Sequence, residues 1–266
     1  MIDTSAFDNV SAGYDGAFTN TPLGHLLRQR VWQVLSGCFQ SGEQVLELAC
    51  GTGADAVWLG RQGIQVTATD GSAEMTRIAA SKVGNAGLQK MVAVEQLSLQ
   101  QISAGELPYP MRFDGIFSNF GGLNTIAGWR PLAHTLAQIV RPAGWVVLVV
   151  MGPVCPWESG WYLWRGQWRT AIRRWRSPSQ ATIGQATIPV WYPSPRRLRR
   201  DFAPWFRARR TLSLGFWLPP TYLGKLVERA PRLFAWFNRL EGRTAHLTAG
   251  WGDHYILLLQ REPGDN

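Results

Sequence analysis

Through the first 150 positions, short apolar runs closed by glycines or polar turns alternate with stretches in which apolar residues recur every three or four positions. The runs Val45–Leu48, Ile64–Thr69, Met91–Leu97, Phe113–Ser118 and Trp145–Met151 have the length and bounds of buried strands. Between them, Ala54–Gln62 (stopped by Gly63), Ser72–Val83 and Pro131–Val140 read as helices, the last with Leu132, Leu136 and Ile139 on one face. Pro108 and Pro110 mark a turn across 105–112, and Arg141-Pro142-Ala143-Gly144 marks another. Ahead of the first strand, Leu23, Leu27, Val31 and Leu35 share a helical face that starts at Thr21-Pro22, where proline is tolerated. Strand and helix in alternation predict an α/β chain whose parallel sheet is covered on both sides.

Beyond Gly152-Pro153 the pattern changes. Trp157, Trp161, Trp164, Trp168, Ile172 and Trp175 follow one another at steps of three or four, with Arg165, Arg169, Arg173 and Arg176 in a stripe beside them. This predicts a single amphipathic helix. Two readings of it stay open: a lid whose Trp face packs over a substrate cavity, or an element lying in a membrane interface. Residues 177–195 read as loop and short strand, Arg196 to Phe206 as a basic helix, and Arg209–Leu218 as a sixth strand. The stretch Leu223–Leu240 is helical with a break at Pro231, and Trp251–Gln260 is the last strand.

The turn after the first strand carries the candidate chemistry. Gly51 and Gly53, one residue apart, let the backbone turn sharply and let a bulky polar ligand approach with no Cβ in the way. Gly51–Ala56 also fits the relaxed dinucleotide fingerprint G-x-G-x-x-A, so a dinucleotide oxidoreductase is one reading. Glu47 favours another, because a carboxylate at the mouth of the strand repels a pyrophosphate and suits a ligand carrying an ammonium and a sulfonium. Asp70 closes the second strand, 17 residues after Gly53, where it can accept hydrogen bonds from both ribose hydroxyls. Its plainer alternative is a helix cap beside Gly71-Ser72. Asn119 and Phe120 open a glycine-rich loop at the carboxyl end of the fourth strand, where ligands bind in open α/β sheets. They are candidate cofactor or substrate contacts, with an Asx turn as the structural alternative.

Taken together, Val45–Gly53, Asp70, Phe113–Asn119 and Arg141–Gly144 resemble the motifs of the class I S-adenosylmethionine-dependent methyltransferases, over roughly the first 150 residues. The resemblance implies a Rossmann-like, seven-stranded open sheet with its last strand antiparallel and helices on both faces, here with a Trp/Arg-rich helical elaboration. It implies S-adenosylmethionine as cofactor, held by Tyr14, Glu47, Ala49, Gly51, Gly53, Asp70, Gly71, Leu97, Ser98, Asn119 and Phe120. Ser98 stands where many relatives carry an acid for the adenine amino group, which is a departure from the family pattern. The expected division is an N-terminal helical lid (1–40), a cofactor-binding core (41–151), a Trp/Arg-rich insertion acting as substrate lid (152–208), and C-terminal core strands with an amphipathic helical insertion (209–266). Methyl transfer from a sulfonium displaces an already activated group, so no nucleophile–base pair is required. For an oxygen or carbon acceptor, Tyr14, Tyr162, Tyr192 and His254 are the candidate bases.

Composition narrows the partners. Residues 1–150 hold 9 basic against 11 acidic side chains and residues 151–266 hold 18 against 7, and ten of the 14 Trp lie in the second part. A basic, Trp-rich half suggests an anionic membrane face, nucleic acid or an acidic substrate. The Trp residues follow a helical period and no RNA-binding motif accompanies them, so nucleic acid is the less favoured partner. Cys38, Cys50 and Cys155 form neither a disulfide framework nor a metal cluster, and no metal is expected. Nothing in Met1–Asp8 directs export, and no apolar run approaches the roughly 20 residues of a membrane span. A cytoplasmic enzyme is therefore expected, with a peripheral place at the inner membrane face left open. The favoured substrate is a small apolar or amphiphilic molecule, quinone-, isoprenoid- or lipid-like or another secondary metabolite, enclosed by the Trp-rich half. The rivals are RNA or protein methylation and a non-catalytic cofactor-binding or membrane-docking protein. Oligomeric state has no signature in the sequence.

Overall fold

The computed structural model describes residues 5–107 and 113–263, so the predicted turn at 105–112 lies largely outside the described residues. From the N-terminal side, α1 (Ser5–Tyr14) runs through a π turn (Asp15–Thr19) into α2 (Pro22–Leu35). There follow β1 (Gln44–Leu48), α3 (Ala54–Arg61), β2 (Gln65–Asp70), α4 (Ala73–Asn85) and β3 (Val92–Gln96). α5 (Leu99–Ser103), β4 (Phe113–Ser118), α6 (Arg130–Ile139) and β5 (Val140–Met151) complete the first half. The helix starts follow from local chemistry. Thr21 caps α2 by accepting from the Gly24 N–H, Ser72 caps α4 by accepting from the Met75 N–H, and Ser98 forms a capping box with Gln101 on α5.

The second half contributes α7 (Pro156–Trp164), α8 (Trp168–Ala171), the hairpin β6 (Ser179–Ile183) and β7 (Ala186–Val190), and α9 (Pro195–Phe202). β8 (Phe206–Leu214), α10 (Lys225–Arg229), α11 (Pro231–Thr244) and β9 (His254–Arg261) end the described chain. The main sheet has the order β3-β2-β1-β4-β5-β9-β8. β1 to β5 are parallel, and β9 enters antiparallel between β5 and β8, as expected. Alternate residues of these strands feed two cores on the two sides of the sheet. One holds Val45, Phe117, Val147 and Ile256 beneath α2, and the other holds Leu46, Ile116, Leu148 and Leu257 beneath α6.

One predicted element is corrected. The Trp/Arg stretch is not a single helix but α7, α8 and a short 3-10 turn, Arg173–Trp175. The break falls at Gly166, which takes the left-handed conformation (φ 70°) that ends a helix without a Cβ penalty. Residues 177–195, expected as loop with a short strand, contain instead a two-stranded hairpin outside the main sheet.

Candidate active site

The carboxyl ends of β1, β2 and β4 open on a cavity of about 240 Å³. Its polar end is built by the turn after β1 and by Asp70. Ala49 (φ 53°) and Gly51 (φ 54°) are both left-handed, so the chain reverses within three residues and presents its backbone to the cavity. A Cβ added at Gly51 would meet nothing within 4 Å, which leaves room for a ligand against the main chain. Gly122 serves a different end. A Cβ there would lie 2.5 Å from the Ala49 Cβ, so the loops after β1 and β4 pass each other only because this residue is glycine.

Asp70 lines the cavity and accepts from the Gly51 N–H and the Ser72 N–H, both at 2.9 Å. Burial raises its pKa, and the backbone donors offset this only in part. Glu47 is placed otherwise than the sequence suggested: it does not line the cavity but lies buried beneath its floor. Its Oε2 is buried without a hydrogen-bond partner, and burial, followed by the neighbouring Asp55, pushes its pKa well above the ordinary carboxylate value. Beside it sits a group the sequence reading missed. Arg28 is ion-paired with Asp55, whose carboxylate also accepts from Trp32 Nε1 (2.7 Å) and Asn119 Nδ2 (2.9 Å). The Arg28 guanidinium stands over the rings of Phe18 and Phe120. An Arg on a helix reads as a surface residue, and only its buried partner Asp55 reveals the role.

The N-terminal segment covers this end. Asp8 accepts from the Ser72 hydroxyl and from the Glu74 N–H, and Asp15 accepts from Thr52 Oγ1 (2.7 Å) while pairing with Lys82. Phe7 and Tyr14 thereby reach the cavity wall. Burial raises the Tyr14 hydroxyl above its usual pKa, which weakens it as a base near neutral pH. At the far end the wall is apolar: Leu99, Met151 and, from the hairpin, Ile183, Ile188 and Val190. Asn124 fixes this end by donating to Met151 O and accepting from Met151 N–H.

Of the expected cofactor contacts, Tyr14, Ala49, Gly51, Asp70, Gly71, Leu97, Ser98 and Phe120 come together around the cavity. Others do not. Gly53 packs against Ala79, Asn119 spends its side chain on Asp55 and on the Phe120 N–H, and Glu47 is buried away from the lining; Ser98, which does line it, also caps α5 with its hydroxyl. Two of the candidate bases are also corrected. Tyr192 is buried against the Arg174 guanidinium, 5.1 Å from its ring centre, and His254 is buried between Asp253 and the edge of Phe120; neither lines the cavity. His254 Nδ1 lies 3.1 Å from Asp253 Oδ2 without hydrogen-bond geometry. None of the periodic Trp residues lines the cavity either. Trp157 packs on Phe234 and donates to Phe216 O, and the hairpin forms the wall instead.

A second cavity, about 420 Å³, lies between α2 and α11. No residue of the glycine turn or of the β4 loop reaches it, and its buried carboxylate, Glu241, is satisfied by the Trp217 N–H (2.8 Å) and the Phe216 N–H (3.3 Å). The first cavity is thus the one where reactive chemistry can be assembled. Its residues fit a nucleoside-linked cation: open backbone at Gly51, a carboxylate at the end of β2, and an unpartnered buried carboxylate below.

Comparison with known proteins agrees. Residues 45–144 match a family model described as a methyltransferase domain. A demethylmenaquinone methyltransferase of Thermobifida fusca (strain YX) is 30% identical over 220 residues, covering 79% of this chain and 89% of that protein. A demethylmenaquinone methyltransferase of Clavibacter sepedonicus is 27% identical over 146 residues, 54% of this chain and 56% of that one, so the chain spans little more than half of its length. Among solved structures, the DhpI-SAH complex superposes with a TM-score of 0.60 at 16% identity, over 98% of this chain and 96% of that one. At such identity the likeness speaks for the fold.

Proposed function

Because the chain belongs to the class I S-adenosylmethionine-dependent methyltransferase family, we propose that it methylates a small apolar or amphiphilic acceptor, and specifically a quinone-like ring with an isoprenoid tail. The observation that carries this reading is the composition of the cavity. Phe7, Leu99, Met151, Ile183, Ile188 and Val190 give it an apolar end, and the ionisable side chains lining it are Tyr14 and Asp70. No Arg or Lys among the described residues lines it, which disfavours the phosphates of an RNA acceptor. Two relatives named as demethylmenaquinone methyltransferases support the same acceptor class.

The cofactor supplies a methyl group already activated as a sulfonium. The residues then have three tasks. Asp70 would hold the ribose, the buried Glu47, more readily protonated than an ordinary carboxylate, would ionise against the cation as it binds, and the apolar end would hold the acceptor ring in line while excluding water. The hydroxyls of a hydroquinone make its ring carbons nucleophilic; the ring proton that the methyl group replaces passes to solvent, since burial keeps the Tyr14 hydroxyl protonated near neutral pH. α1 and the hairpin, both in contact with the cavity, act as its two lids. The test is incubation with labelled S-adenosylmethionine and either a prenylated naphthohydroquinone or a cell extract. Label in the quinol supports the reading, and label only in RNA or protein contradicts it.

A further inference from the structure

The second half of the chain carries an apolar surface that the cleft does not use. Leu163, Trp164, Trp168 and Trp175 on the α7–α8 segment are 57%, 78%, 54% and 63% exposed. Ring contacts join this segment to two others that also expose apolar side chains. Tyr162 of α7 stacks obliquely on the exposed Tyr222 (6.0 Å), and Trp157 of α7 meets Phe234 of α11, next to the exposed Leu233 and Trp236. Soluble monomers seldom expose so many large apolar side chains in adjoining elements. Cations accompany the rings: Arg165 lies 4.4 Å from the Trp161 ring centre and Arg169 5.3 Å from that of Trp168.

This exposure is built, not loose. Glu158 of α7, 1% exposed, accepts from both Arg173 and Arg174, and Arg174 also donates to Asp253 Oδ1 (2.6 Å) and to Asp253 O (2.9 Å). The α7–α8 segment is thereby fastened to the start of β9. It also begins only five residues after Met151, which lines the cleft.

We propose that the α7–α8 segment, with the neighbouring side of α11, is a docking surface for an anionic lipid bilayer. Indole rings with flanking guanidinium groups are suited to the headgroup layer, with the cations meeting lipid phosphates. The excess of 18 basic over 7 acidic side chains beyond residue 150 gives the matching charge. The exposed Leu163 and Leu233 favour a bilayer over nucleic acid, because aliphatic side chains neither stack on bases nor neutralise phosphates but do partition into acyl chains. No helix among the described residues is long and apolar enough to cross a membrane, so the contact is peripheral. The proposal does not depend on the identity of the methyl acceptor.

The test is flotation of the full chain with vesicles of phosphatidylcholine alone or mixed with phosphatidylglycerol, at low and high salt. The expected result is co-flotation with the anionic vesicles at low salt, quenching of Trp emission by brominated lipid, and weaker retention at high salt. The paired changes Trp164→Glu and Trp168→Glu, and separately Arg165→Glu and Arg169→Glu, should each weaken partition by about tenfold or more. Calorimetric binding of S-adenosylhomocysteine by the same variants should be unchanged, which keeps this test apart from that of the catalytic reading. Absence of flotation, equal flotation with neutral vesicles, or brominated lipid that leaves the wild-type emission intact would each overturn the proposal. So would a Trp pair whose replacement abolishes RNA retardation and leaves flotation unaltered.

Discussion

Each half of the molecule is organised around a buried arginine, and the two are satisfied differently. Arg174 uses its Nε and both Nη atoms on Glu158, Asp253 and the Gly152 carbonyl. Arg28 bonds Asp55 and, more distantly, Thr19 (3.4 Å), while its Nε and the Oε2 of nearby Glu47 are left without partners. The first arrangement is closed, and its charges hold the α7–α8 segment against β9. The second sets Glu47 and Asp55 against the Arg28 guanidinium, with Asp70 near enough to Glu47 to raise its pKa further, so a cation bound in the cleft would favour the ionised form of Glu47. Arg174 thus bonds through all three of its nitrogens in the region that fastens, with His254 Nδ1 beside it unpaired, whereas Arg28 Nε and Glu47 Oε2 are unpaired next to the cleft.

Removing the closed network should have the largest effect. Arg174→Met leaves the buried Asp253 without a guanidinium, and Glu158 with Arg173 alone, and is expected to cost about 3–5 kcal/mol in denaturant unfolding. Burial works to raise the Asp253 pKa, but His254 and Arg174 outweigh it and hold the group well below the ordinary range; Glu158 is likewise lowered, by Arg173 and Arg174 against its burial. Their contribution is present above the unfolded carboxylate pKa of about 4 and is lost as pH falls through the lower folded values. Acid titration of wild-type stability should therefore show a loss below about pH 4 that Arg174→Met flattens. A variant as acid-sensitive as the wild type would break the comparison.

Next in size is Asp70→Ala. Hydrogen bonds to a charged group are worth roughly 1.5–3 kcal/mol each, so binding of S-adenosylhomocysteine should weaken by at least about tenfold in calorimetry. Glu47→Gln sharpens the contrast between the halves. It should weaken binding of S-adenosylmethionine by roughly three- to tenfold, and by less that of the product, which keeps the ammonium and loses only the sulfonium charge. Because the Glu47 pKa is raised in the fold, its contribution to stability is present below the unfolded value and lost as pH rises through the folded one. The stability of Glu47→Gln relative to wild type should accordingly improve with rising pH. The smallest effect belongs to an exposed pair: Arg77→Ala, which breaks an i,i+3 pair with Glu74, should cost only about 0.2–0.5 kcal/mol.

The main sheet could be read from the sequence because its strands are apolar runs punctuated by glycine and proline, as in Val45–Leu48 and Phe113–Ser118, and because β9 carries the apolar run Tyr255–Leu259. Asp70 and Gly51 could be read for a similar reason, since both answer to a fixed spacing along the chain. What escaped was pairing across long separations. Nothing near Asn119 shows that its amide turns to Asp55, 64 residues away, or that Arg174 is the interior member of an arginine series whose neighbours are partly exposed. The Trp period read as one continuous helix because period ignores Gly166, where the backbone turns left-handed. The hairpin lid escaped because Ala181, Ile183, Ala186 and Ile188 alternate too weakly around Gly184-Gln185 to stand out from loop.

The most direct test of the account is a single-turnover reaction of the purified chain with S-adenosylmethionine and a prenylated naphthohydroquinone, followed by mass spectrometry of the extracted lipid. The account predicts a quinol one methyl group heavier, formed faster than from the same ring without its tail and greatly slowed in Asp70→Ala. Cofactor binding by calorimetry with no methylated quinol, alongside methylated RNA or protein from a cell extract, would contradict it.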